Sequence, residues 1–431
     1  MMSIKEAMEQ GTGQVSIRGW VHRERKSNQF AFIIVRDSTN IIQCIVEKDK
    51  VPQRLWEDAI QRATIEASVI VHGTIRPEKR APSEYEIDIT DLEIIGESHE
   101  FPITKDQSIE FLADMRHLWL RSRKMTAILK IRSTVFGAIH DYFRENGFYE
   151  YHSPLFQSVQ CEGGSTLFKV DYFGQKDVFL AQTWQLYAEP AIFALEKIYT
   201  IAPSFRAEKS KTSRHLTEYW HAEMEAAWAT FDDIQNYGEG LLKCIVGRVL
   251  EKNQDELRIL KRDIKKLESA VKKSFVRMTY DEVLNILKDK CKIEIEWGKD
   301  LRTIEEDELS KMFDTPIIVT NYPKAVKAFY MKEDSKNPTV VHGCDFIAPE
   351  CYGEIIGGSE RESDITQIEK RLREQGEDPN QYLFYLDTRK YGSVPHGGFG
   401  LGVERVIAWV CGLDNIKDAI PFPRTMLRKT P

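Results

Sequence analysis

Apolar and polar residues alternate between residues 219 and 226, and this period of two predicts a β-strand. One face of the strand carries the apolar side chains Trp220, Ala222, Met224 and Ala226. The other face carries Tyr219, His221, Glu223 and Glu225. An apolar run, Ile198–Phe205, precedes this strand, and the polar stretch Ala207–Arg214 joins the two. Two strands joined by a short polar loop predict an antiparallel hairpin.

Charged side chains crowd on the polar face and in the loop of this hairpin: Arg206, Glu208, His215, Glu223 and Glu225. A surface hairpin would normally carry Lys, Thr and Ser there, so the group is typical of a site for a charged ligand. It is equally typical of a salt-bridged sheet face, because ion-pair networks resemble sites. The hairpin alone leaves both interpretations open.

Short β-rich runs occupy the first hundred residues: Val15–His22, Phe30–Arg36, Ile41–Glu47, Ser68–Arg76 and Tyr85–Ile95. Leu55–Ala67 has the pattern of a short helix. Five strands with one helix predict a Greek-key barrel of the oligonucleotide-binding type.

The predicted barrel has side chains suited to a nucleic acid. Basic residues cluster in and after its first strand: Arg18, Arg23, Arg25 and Lys26. Phe30 and Phe32 open the second strand, and Gln43 lies in the third. Aromatic rings stack on bases, cations neutralise phosphates and an amide can read a base edge. For Phe32, a place in the barrel core is an equally good interpretation.

Helical patterns dominate the later part of the chain. Residues 124–146 keep a 3.6-residue apolar period that Gly147 ends, and residues 232–273 form two helical segments. The polar stretch 98–106 contains Pro102, and this pattern indicates a hinge between domains. We therefore expect a barrel domain over residues 1–100, a hinge over 101–120 and a second domain over 121–431.

Glycine occupies alternate positions of the strand at residues 398–402, and Arg405 falls in the first turn of the helix that follows. Such a strand has a bare face on which a ring or a phosphate can lie. A cation at a helix N-terminus is unfavourable unless an anion lies against it. The spacing is not GxGxxG, and the chain contains no P-loop motif.

Overall composition restricts the class of protein. With 431 residues, 42% hydrophobic and 29% charged, the chain is expected to form two or three globular domains. A net charge of -7 argues against purely electrostatic binding of nucleic acid but permits a local basic patch. The first residues contain no apolar signal core, no stretch approaches a membrane-spanning length, and the seven cysteines form no CxxC. We expect a cytoplasmic protein with reduced thiols.

Three elements follow one another along the chain: a long helix with a strand ending at Pro154, a hairpin with FRAE at 205–208, and GFGLGVER at 398–405. Their order and content resemble the three motifs of class II aminoacyl-tRNA synthetases. Longer stretches resemble the subgroup for asparagine and aspartate, at residues 19–43, 116–124, 161–175, 199–225, 321–332 and 345–362. The resemblance covers nearly the whole chain.

The resemblance implies an α+β fold. An anticodon-binding barrel would precede a class II catalytic domain, in which helices flank an antiparallel sheet of about six or seven strands. Members of the family are homodimers through the first motif. Part of the helix at 124–146 and the strand up to Pro154 would then form the subunit interface.

Three features favour asparagine over aspartate as the substrate. Aspartyl members usually have QLYK where this chain has Gln185-Leu186-Tyr187-Ala188, so a lysine that would pair with a substrate carboxylate is missing. The stretch APECYGEIIGGSERE at 348–362 resembles the asparaginyl form, which has a longer loop. Glu223 stands where aspartyl members carry aspartate; it could accept the substrate amide N–H and would repel a carboxylate. A hairpin ion pair is the alternative role for Glu223.

By the same resemblance, ATP and asparagine form asparaginyl-adenylate, and the acyl group then passes to the terminal adenosine of tRNA(Asn). Arg206 and Arg405 would be the catalytic cations at the two ends of the triphosphate. The other ATP-binding residues would be Glu208, His215, Leu216, Tyr219, Glu354 and Gly402. Asp345 and Glu354 would ligate Mg²⁺, although Gly357 replaces a serine of the aspartyl members.

The resemblance also assigns the two recognition sites. Asparagine would contact Glu162, Gln185, Glu223 and Arg361. The alternative for Gln185 is that it is an ordinary residue at the start of a helix. The anticodon would contact Arg23, Phe32 and Gln43.

Three other functions remain as alternatives. The first is an aspartyl enzyme, including one that charges both tRNAs. The second is an amidating enzyme derived from a synthetase, against which the barrel argues. The third is a non-catalytic RNA-binding homologue, against which the complete set of charged motif residues argues.

Overall fold

The computed structural model of the chain describes residues 1–161, 166–209, 212 and 214–431. Its backbone forms two compact units, Met1–Leu118 and Trp119–Pro431. None of the helices among these described residues is long and apolar enough to cross a membrane.

The first unit contains a closed five-stranded barrel, as the sequence predicted. Its strands are β1 (Gly13–Lys26), β2 (Phe30–Arg36), β3 (Ile41–Glu47), β4 (Ser68–Pro77) and β5 (Tyr85–Gly96). They pair in the order β1-β2-β3-β5-β4, and β4 closes the barrel on β1. The β3–β5 pair is parallel and the other pairs are antiparallel. Helix α1 (Ile4–Gln10) precedes the barrel, and helix α2 (Gln53–Glu57) lies between β3 and β4.

Alternation along the strands builds the barrel core. In β2, Ala31, Ile33 and Val35 are buried, while Phe30 and Phe32 lie on the outer face. The helix predicted at 55–67 is shorter than expected, because α2 passes into a single π-turn at Asp58–Arg62. The chain then leaves the helical conformation, and Glu66 adopts a positive φ of 69°.

An eight-stranded mixed sheet forms the centre of the second unit. Its strands run in the order β11-β12-β13-β14-β15-β10-β9-β6. The ten strands of the unit are β6 (Tyr149–Glu150), β7 (Phe156–Gln157), β8 (Phe179–Leu180), β9 (Lys197–Phe205), β10 (Glu218–Ala227), β11 (Val276–Thr279), β12 (Ile317–Thr320), β13 (Gly343–Ala348), β14 (Gly353–Glu360) and β15 (His396–Gly402), all among the described residues. Strands β7 and β8 pair separately.

The sheet is larger than the resemblance implied, and it is not wholly antiparallel. Its two edge pairs, β11–β12 and β6–β9, are parallel, and the five pairs between them are antiparallel. Parallel neighbours require a long crossover connection, and helices lie between both pairs of edge strands in the chain. The predicted hairpin is the antiparallel pair of β9 and β10, next to the edge strand β6.

Further helices follow the barrel along the chain. They are α3 (Ile109–Asp114), α4 (Arg116–Trp119), α5 (Arg123–Glu145), α6 (Gln185–Ala188), α7 (Ile192–Leu195), α8 (Phe231–Lys252), α9 (Gln254–Ile259), α10 (Ile264–Lys272), α11 (Tyr280–Ile286), α12 (Thr303–Ser310), α13 (Ile365–Glu374), α14 (Leu383–Lys390) and α15 (Val403–Cys411). The largest core cluster joins residues of α5, α8 and α15 to the apolar face of β10.

Cap residues explain where the long helices begin and end. The Ser122 hydroxyl accepts the Met125 N–H at the start of α5, and Gly147, with a positive φ of 78°, follows its end. Thr230 and Asp233 form a capping box at the start of α8. The region 232–273 contains three helices instead of the two expected, because Asn253 ends α8 and Lys261 has a positive φ of 57°.

Candidate active site

Two adjoining cavities lie over β10, β14 and β15. The larger has a volume of about 580 Å³ and the smaller of about 100 Å³. They share the lining residues Arg206, His221, Glu354 and Gly400. One ligand can therefore extend from one cavity into the other.

The structure brings together the residues that the sequence singled out. The larger cavity is lined by Gln185, Arg206, Glu223, Asp345, Glu354 and Arg361. The smaller cavity is lined by Arg206, Glu208, His215, Leu216, Tyr219, Glu354, Gly402 and Arg405. Glu162, the remaining candidate of this unit, lies outside the described residues.

The glycines of β15 make room for the acidic face of β10. Glu223 pairs with Gly400 and Glu225 pairs with Gly398 in the register of the two strands. A Cβ atom on Gly400 would lie 2.6 Å from the His221 ring carbon Cε1, which is closer than van der Waals contact allows. The absence of side chains at Gly398 and Gly400 thus permits the polar side chains of β10 to reach the cavity.

Glu223 is buried and ionised at the floor of the larger cavity. Its Oε1 accepts the Trp184 N–H at 2.9 Å, and its Oε2 accepts the Thr183 hydroxyl. His221 Nδ1 lies 3.2 Å from Oε1. Burial would raise the pKa of Glu223, but His221, Thr183 and the Trp184 N–H together lower it below its ordinary value. The cavity therefore contains a carboxylate acceptor.

Arg361 is the cation of the same cavity, and it is already paired. Its Nε and Nη2 donate to the two carboxylate oxygens of Glu225 at 3.0 and 2.9 Å, and its Nη1 donates to the Ser359 hydroxyl at 2.7 Å. Burial would lower the pKa of Arg361, but the carboxylates of Glu225 and Glu189 raise it further above its ordinary value. The guanidinium stays charged, and Glu225 neutralises it from one side.

Two carboxylates converge over Gly357 in a geometry suited to a divalent cation. Asp345 on β13 pairs with Gly357 on β14, and a register irregularity after Phe346 brings Glu354 to the same place. A Cβ on Gly357 would lie 2.9 Å from Glu354 Oε1 and 3.7 Å from Asp345 Oδ1. Glycine at 357 therefore leaves open the space between the two oxygens, and hard carboxylate oxygens are the ligands that Mg²⁺ prefers.

The charges around this carboxylate pair also fit a cation. Burial raises the pKa of Asp345 to about 6, Glu354 adds to the effect, and Lys327 opposes it. Lys327 Nζ lies 2.6 Å from Asp345 Oδ2, which leaves Oδ1 directed towards Gly357. Two neighbouring carboxylates with one lysine have an excess of negative charge that a divalent ion would balance.

The smaller cavity has the features of a polyphosphate site. The Arg206 guanidinium lies 5.7 Å from the Tyr219 ring centroid. Arg405 Nη1 donates to the Glu354 carbonyl at 2.6 Å, so that the side chain extends along the cavity wall. Two arginines, the Tyr219 ring and a glycine-lined wall fit a nucleoside triphosphate.

Glu208 and His215 border this cavity from the hairpin loop. His215 Nε2 lies 3.5 Å from Glu208 Oε2, and Arg206 Nη1 lies 3.9 Å from Glu208 Oε1. Burial lowers the pKa of His215, and Glu208 opposes the effect. A largely neutral imidazole can then donate or accept a hydrogen bond at neutral pH.

The barrel contains a separate cleft of about 790 Å³. Phe30, Phe32, Gln43 and Arg25 line it. The rings of Phe30 and Phe32 stack with centroids 6.1 Å apart, and Gln43 Nε2 donates to Glu86 at 2.9 Å. Phe32 is on the outer face of β2, which excludes the interpretation that it belongs to the barrel core. Arg23 is exposed on β1 but does not line this cleft.

Sequence reasoning missed several residues that contact the larger cavity or its wall: Thr183, Lys327, Glu189, Glu306 and Arg389. Thr183 holds Glu223, and Lys327 holds Asp345. Burial and the Glu354 carboxylate raise the pKa of Glu306 to about 8. Lys327 lies in the stretch 321–332 on which the resemblance was based, so its motif could have suggested it. The other four have no local signal, because the charged partners that give them their role lie far along the chain: Glu223 for Thr183, Arg389 and Glu189 for each other, and Glu354 for Glu306.

Family models match both units. The model described as "tRNA synthetases class II (D, K and N)" matches residues 108–426. The model described as "OB-fold nucleic acid binding domain" matches residues 15–95.

Individual relatives cover the whole chain. The asparagine–tRNA ligase of Thermoplasma acidophilum is 48% identical over 100% of both chains. That of Thermococcus gammatolerans is 47% identical over 97% of this chain and 96% of its own. The crystal structure of asparaginyl-tRNA synthetase from Pyrococcus horikoshii complexed with asparaginyl-adenylate has a TM-score of 0.95 and 44% identity, and covers 100% of this chain and 99% of its own. The chain therefore belongs to the class II tRNA synthetases of the D, K and N group and, within that group, to the asparagine–tRNA ligases.

Proposed function

We propose that the protein activates L-asparagine with ATP and transfers it to tRNA(Asn). The observation that carries the proposal is the pair of adjoining cavities, one with the features of a polyphosphate site and one containing an ionised carboxylate opposite an arginine. The crystallised Pyrococcus relative is described as a complex with asparaginyl-adenylate, the expected intermediate of this reaction.

The first step joins asparagine to AMP. The asparagine α-carboxylate attacks the α-phosphorus of ATP, an acyl-phosphate bond forms, and pyrophosphate leaves with the electrons of the broken bond. A carboxylate is already a nucleophile at neutral pH, so the site supplies position and positive charge. Arg206 holds the α-phosphate and the reacting carboxylate. Arg405 holds the far end of the triphosphate.

The rest of the smaller cavity holds the nucleoside and the phosphates. Tyr219 stacks on the adenine, and Glu208 accepts from its amino group. His215 and Leu216 border the triphosphate, and Gly402 lets it approach the backbone. Asp345 and Glu354 hold Mg²⁺, which when bound neutralises phosphate charge. Their convergence over Gly357 supports this assignment.

The larger cavity selects asparagine by charge and hydrogen-bond polarity. Glu223 accepts the side-chain N–H of asparagine, and it repels the carboxylate of aspartate. Arg361 donates to the side-chain oxygen. Glu162 holds the α-ammonium group, and Gln185 holds the α-ammonium group or the α-carboxylate. The ionised state of Glu223 and the prior pairing of Arg361 with Glu225 favour an amide over a carboxylate.

The second step and the assembly follow the family pattern. The 3′-terminal adenosine hydroxyl attacks the acyl carbon, and AMP leaves. Arg23, Phe32 and Gln43 bind the anticodon of the tRNA. We also propose a homodimer through part of α5 and the strand up to Pro154, where Tyr149 is 61% exposed. The proposed compartment is the cytoplasm.

Amino-acid-dependent ATP–pyrophosphate exchange tests the proposed function. The wild-type chain is expected to exchange with asparagine and to show little exchange with aspartate. Glu223→Gln removes the charge but keeps the shape, and should reduce kcat/KM for asparagine by about tenfold or more. Glu218→Gln, on the same strand but away from both cavities, is the matched control and should behave as the wild type.

Stimulation by aspartate alone would show that the chain is an aspartyl enzyme. Equal stimulation by both amino acids, followed by charging of both tRNAs, would support the less specific alternative. Exchange by neither would contradict the activity itself.

A further inference from the structure

A cluster of fully buried charges lies behind the larger cavity. Glu189, at the end of α6, has no exposed surface, and the side chains of Arg389 and His396 are equally inaccessible. None of the three belongs to the residues proposed above to contact a substrate. Each of these buried charges needs a partner, because burying an unpaired charge costs free energy.

Glu189 bridges two sets of side chains with its two oxygens. Its Oε1 accepts the Gln185 Nε2 at 2.9 Å and lies 4.0 Å from Arg361 Nε, and both of these residues line the cavity. Its Oε2 accepts from Arg389 Nη2 and lies 3.1 Å from His396 Nε2. One carboxylate thus connects two cavity-lining side chains to the interior.

The cluster is not suited to a metal ion. Glu189, Glu225 and His396 offer ligand atoms that lie within 4.8 Å of one another. Both carboxylates are, however, already occupied by guanidinium groups, Glu225 by Arg361 and Glu189 by Arg389. Two fixed cations would repel a divalent ion from this place.

The ionised state of Glu189 follows from its neighbours. Burial would raise its pKa, but Arg389 and His396 lower it well below the ordinary value. Glu189 and Glu225 are each paired with a guanidinium group, Arg389 and Arg361 respectively, although burial raises the pKa of Glu225. The two carboxylates offset the charges of the two guanidinium groups, so Arg361 presents hydrogen-bond donors to the cavity with its positive charge compensated.

Compensation of this charge determines which side chain the cavity prefers. An uncompensated arginine would attract the carboxylate of aspartate more strongly than the carbonyl of asparagine. Tyr330, whose ring centroid is 5.0 Å from the Arg361 guanidinium, and Ser359 add no charge. After Glu225, Glu189 is therefore the second anion that offsets the positive charge of Arg361 in the larger cavity.

We propose that Glu189 is a positioning residue that determines specificity, because it holds Gln185 and compensates the positive charge behind Arg361, so that aspartate is rejected. This inference rests on the proposed function and deepens it. Glu189 acts through Gln185 and Arg361 and does not itself touch the substrate.

Opposite charge changes in the cluster test the proposal. Pyrophosphate exchange is measured with asparagine and with aspartate for all variants at one fixed pH. Glu189→Gln should lower the ratio of kcat/KM for asparagine to that for aspartate by about tenfold or more. Arg389→Gln removes the opposite charge and should raise the ratio. The double variant has the same net charge as the wild type and should return the ratio towards the wild-type value.

Two further variants separate charge from packing. Tyr385→Phe removes a hydroxyl that accepts from Arg389 at 2.8 Å without changing any charge, so the ratio should not change. Glu189→Asp keeps the charge and should retain most of the discrimination even where total activity falls. If Glu189→Gln does not fold, Arg389→Gln still tests the sign of the effect.

The outcomes distinguish this inference from the proposed function. A wild-type chain without asparagine-dependent exchange would contradict both. A normal wild-type chain with the same ratio in Glu189→Gln and Arg389→Gln would overturn the role of Glu189 alone. Shifts of the ratio in the same direction in both variants would indicate a purely structural role and would also overturn it.

Discussion

At the scale of single residues, the hydrogen-bond donors around a buried carboxylate determine its charge. Glu223 and Asp345 line the same cavity and are both almost fully buried. The pKa of Glu223 is lowered because Thr183, Trp184 and His221 outweigh the burial. The pKa of Asp345 is raised to about 6 because burial and the nearby Glu354 outweigh Lys327. Two equally buried carboxyl groups thus differ in charge: Glu223 is held as an anion by its donors, whereas the anionic form of Asp345 is favoured by a nearby cation.

The guanidinium of Arg405 should be needed for chemistry and not for folding. Arg405→Ala is expected to reduce asparagine-dependent pyrophosphate exchange by at least about a hundredfold, because a charge that stabilises the transition state is lost. Binding of tRNA, measured by filter retention, should stay near the wild-type value. Arg258→Ala removes an exposed arginine of α9 and is the control. Exchange close to that of the wild type in Arg405→Ala would refute the assignment.

The ion pair of His342 with Glu360 should make stability depend on pH. His342 Nδ1 lies 2.8 Å from Glu360 Oε2, and this hydrogen bond raises the pKa of His342 above its ordinary value. The stabilisation is fully present below the unfolded pKa of about 6.5 and is lost as the pH rises through the raised folded value. His342→Gln should therefore lower the free energy of unfolding by about 1 kcal/mol near pH 6 and by less near pH 9.

Urea unfolding at the two pH values measures the effect. His99, which is exposed in the segment after the barrel, provides the control His99→Gln. A difference between His342→Gln and the wild type that grows with pH would contradict the sign of the linkage.

At the scale of elements, glycine has opposite effects on the stability of the protein in strand β15 and in helix α8. A Cβ on Gly398 of β15 would meet the Met224 carbonyl and the Glu225 carboxylate. Gly247 in α8 has nothing within 4 Å of its Cβ position. The first glycine is needed for close packing of two strands, whereas the second only increases the entropy of the unfolded chain.

This contrast predicts opposite stability changes for the same substitution. Gly398→Ala should destabilise the protein by about 3 kcal/mol, since rigid backbone must move. Gly247→Ala should stabilise it by about 0.5–1 kcal/mol. Thermal unfolding of both variants measures the difference. A Gly398→Ala protein as stable as the wild type would show that β10 and β15 are less tightly packed than described.

At the scale of the whole molecule, tRNA binding and adenylate formation should be separable. Each compact unit has its own hydrophobic core, and the barrel cleft and the two cavities are built from different units. The adenylate reaction needs only the small substrates. Loss of a contact in the barrel cleft should therefore leave exchange intact.

Phe32→Ala tests this separation. The substitution should weaken tRNA binding by about tenfold or more, the effect of losing one base–aromatic stack, with unchanged pyrophosphate exchange. Trp20→Ala, an exposed aromatic residue of β1 outside the cleft, is the matched control. A parallel fall of exchange and tRNA binding in Phe32→Ala would contradict the separation.

Local sequence patterns were sufficient for many elements. The alternation in β10, the 3.6-residue period of α5 and the short strands of the barrel each depend on neighbours in the chain, so they could be predicted. The edge strand β11 is short and pairs in parallel through a long connection, and no local pattern indicated it. The strand predicted to end at Pro154 is shorter than expected, because β6 covers only Tyr149–Glu150. The resemblance supplied most candidate residues at once, because a family match includes motifs that are far apart in the sequence but belong to one site.

The sequence by itself determined the family, the order of the elements and the placement of Glu223 and Glu225 on one strand face. The elements and the strand face follow from periodicity, and the family follows from the resemblance of stretches along nearly the whole chain. Only the tertiary structure decided what the charges do: Glu225 neutralises Arg361, Thr183 holds Glu223, and Glu189 meets Arg389 two hundred residues further along the chain. The physical reason is that Coulomb interactions and hydrogen bonds depend on distance in space, which a linear pattern does not contain.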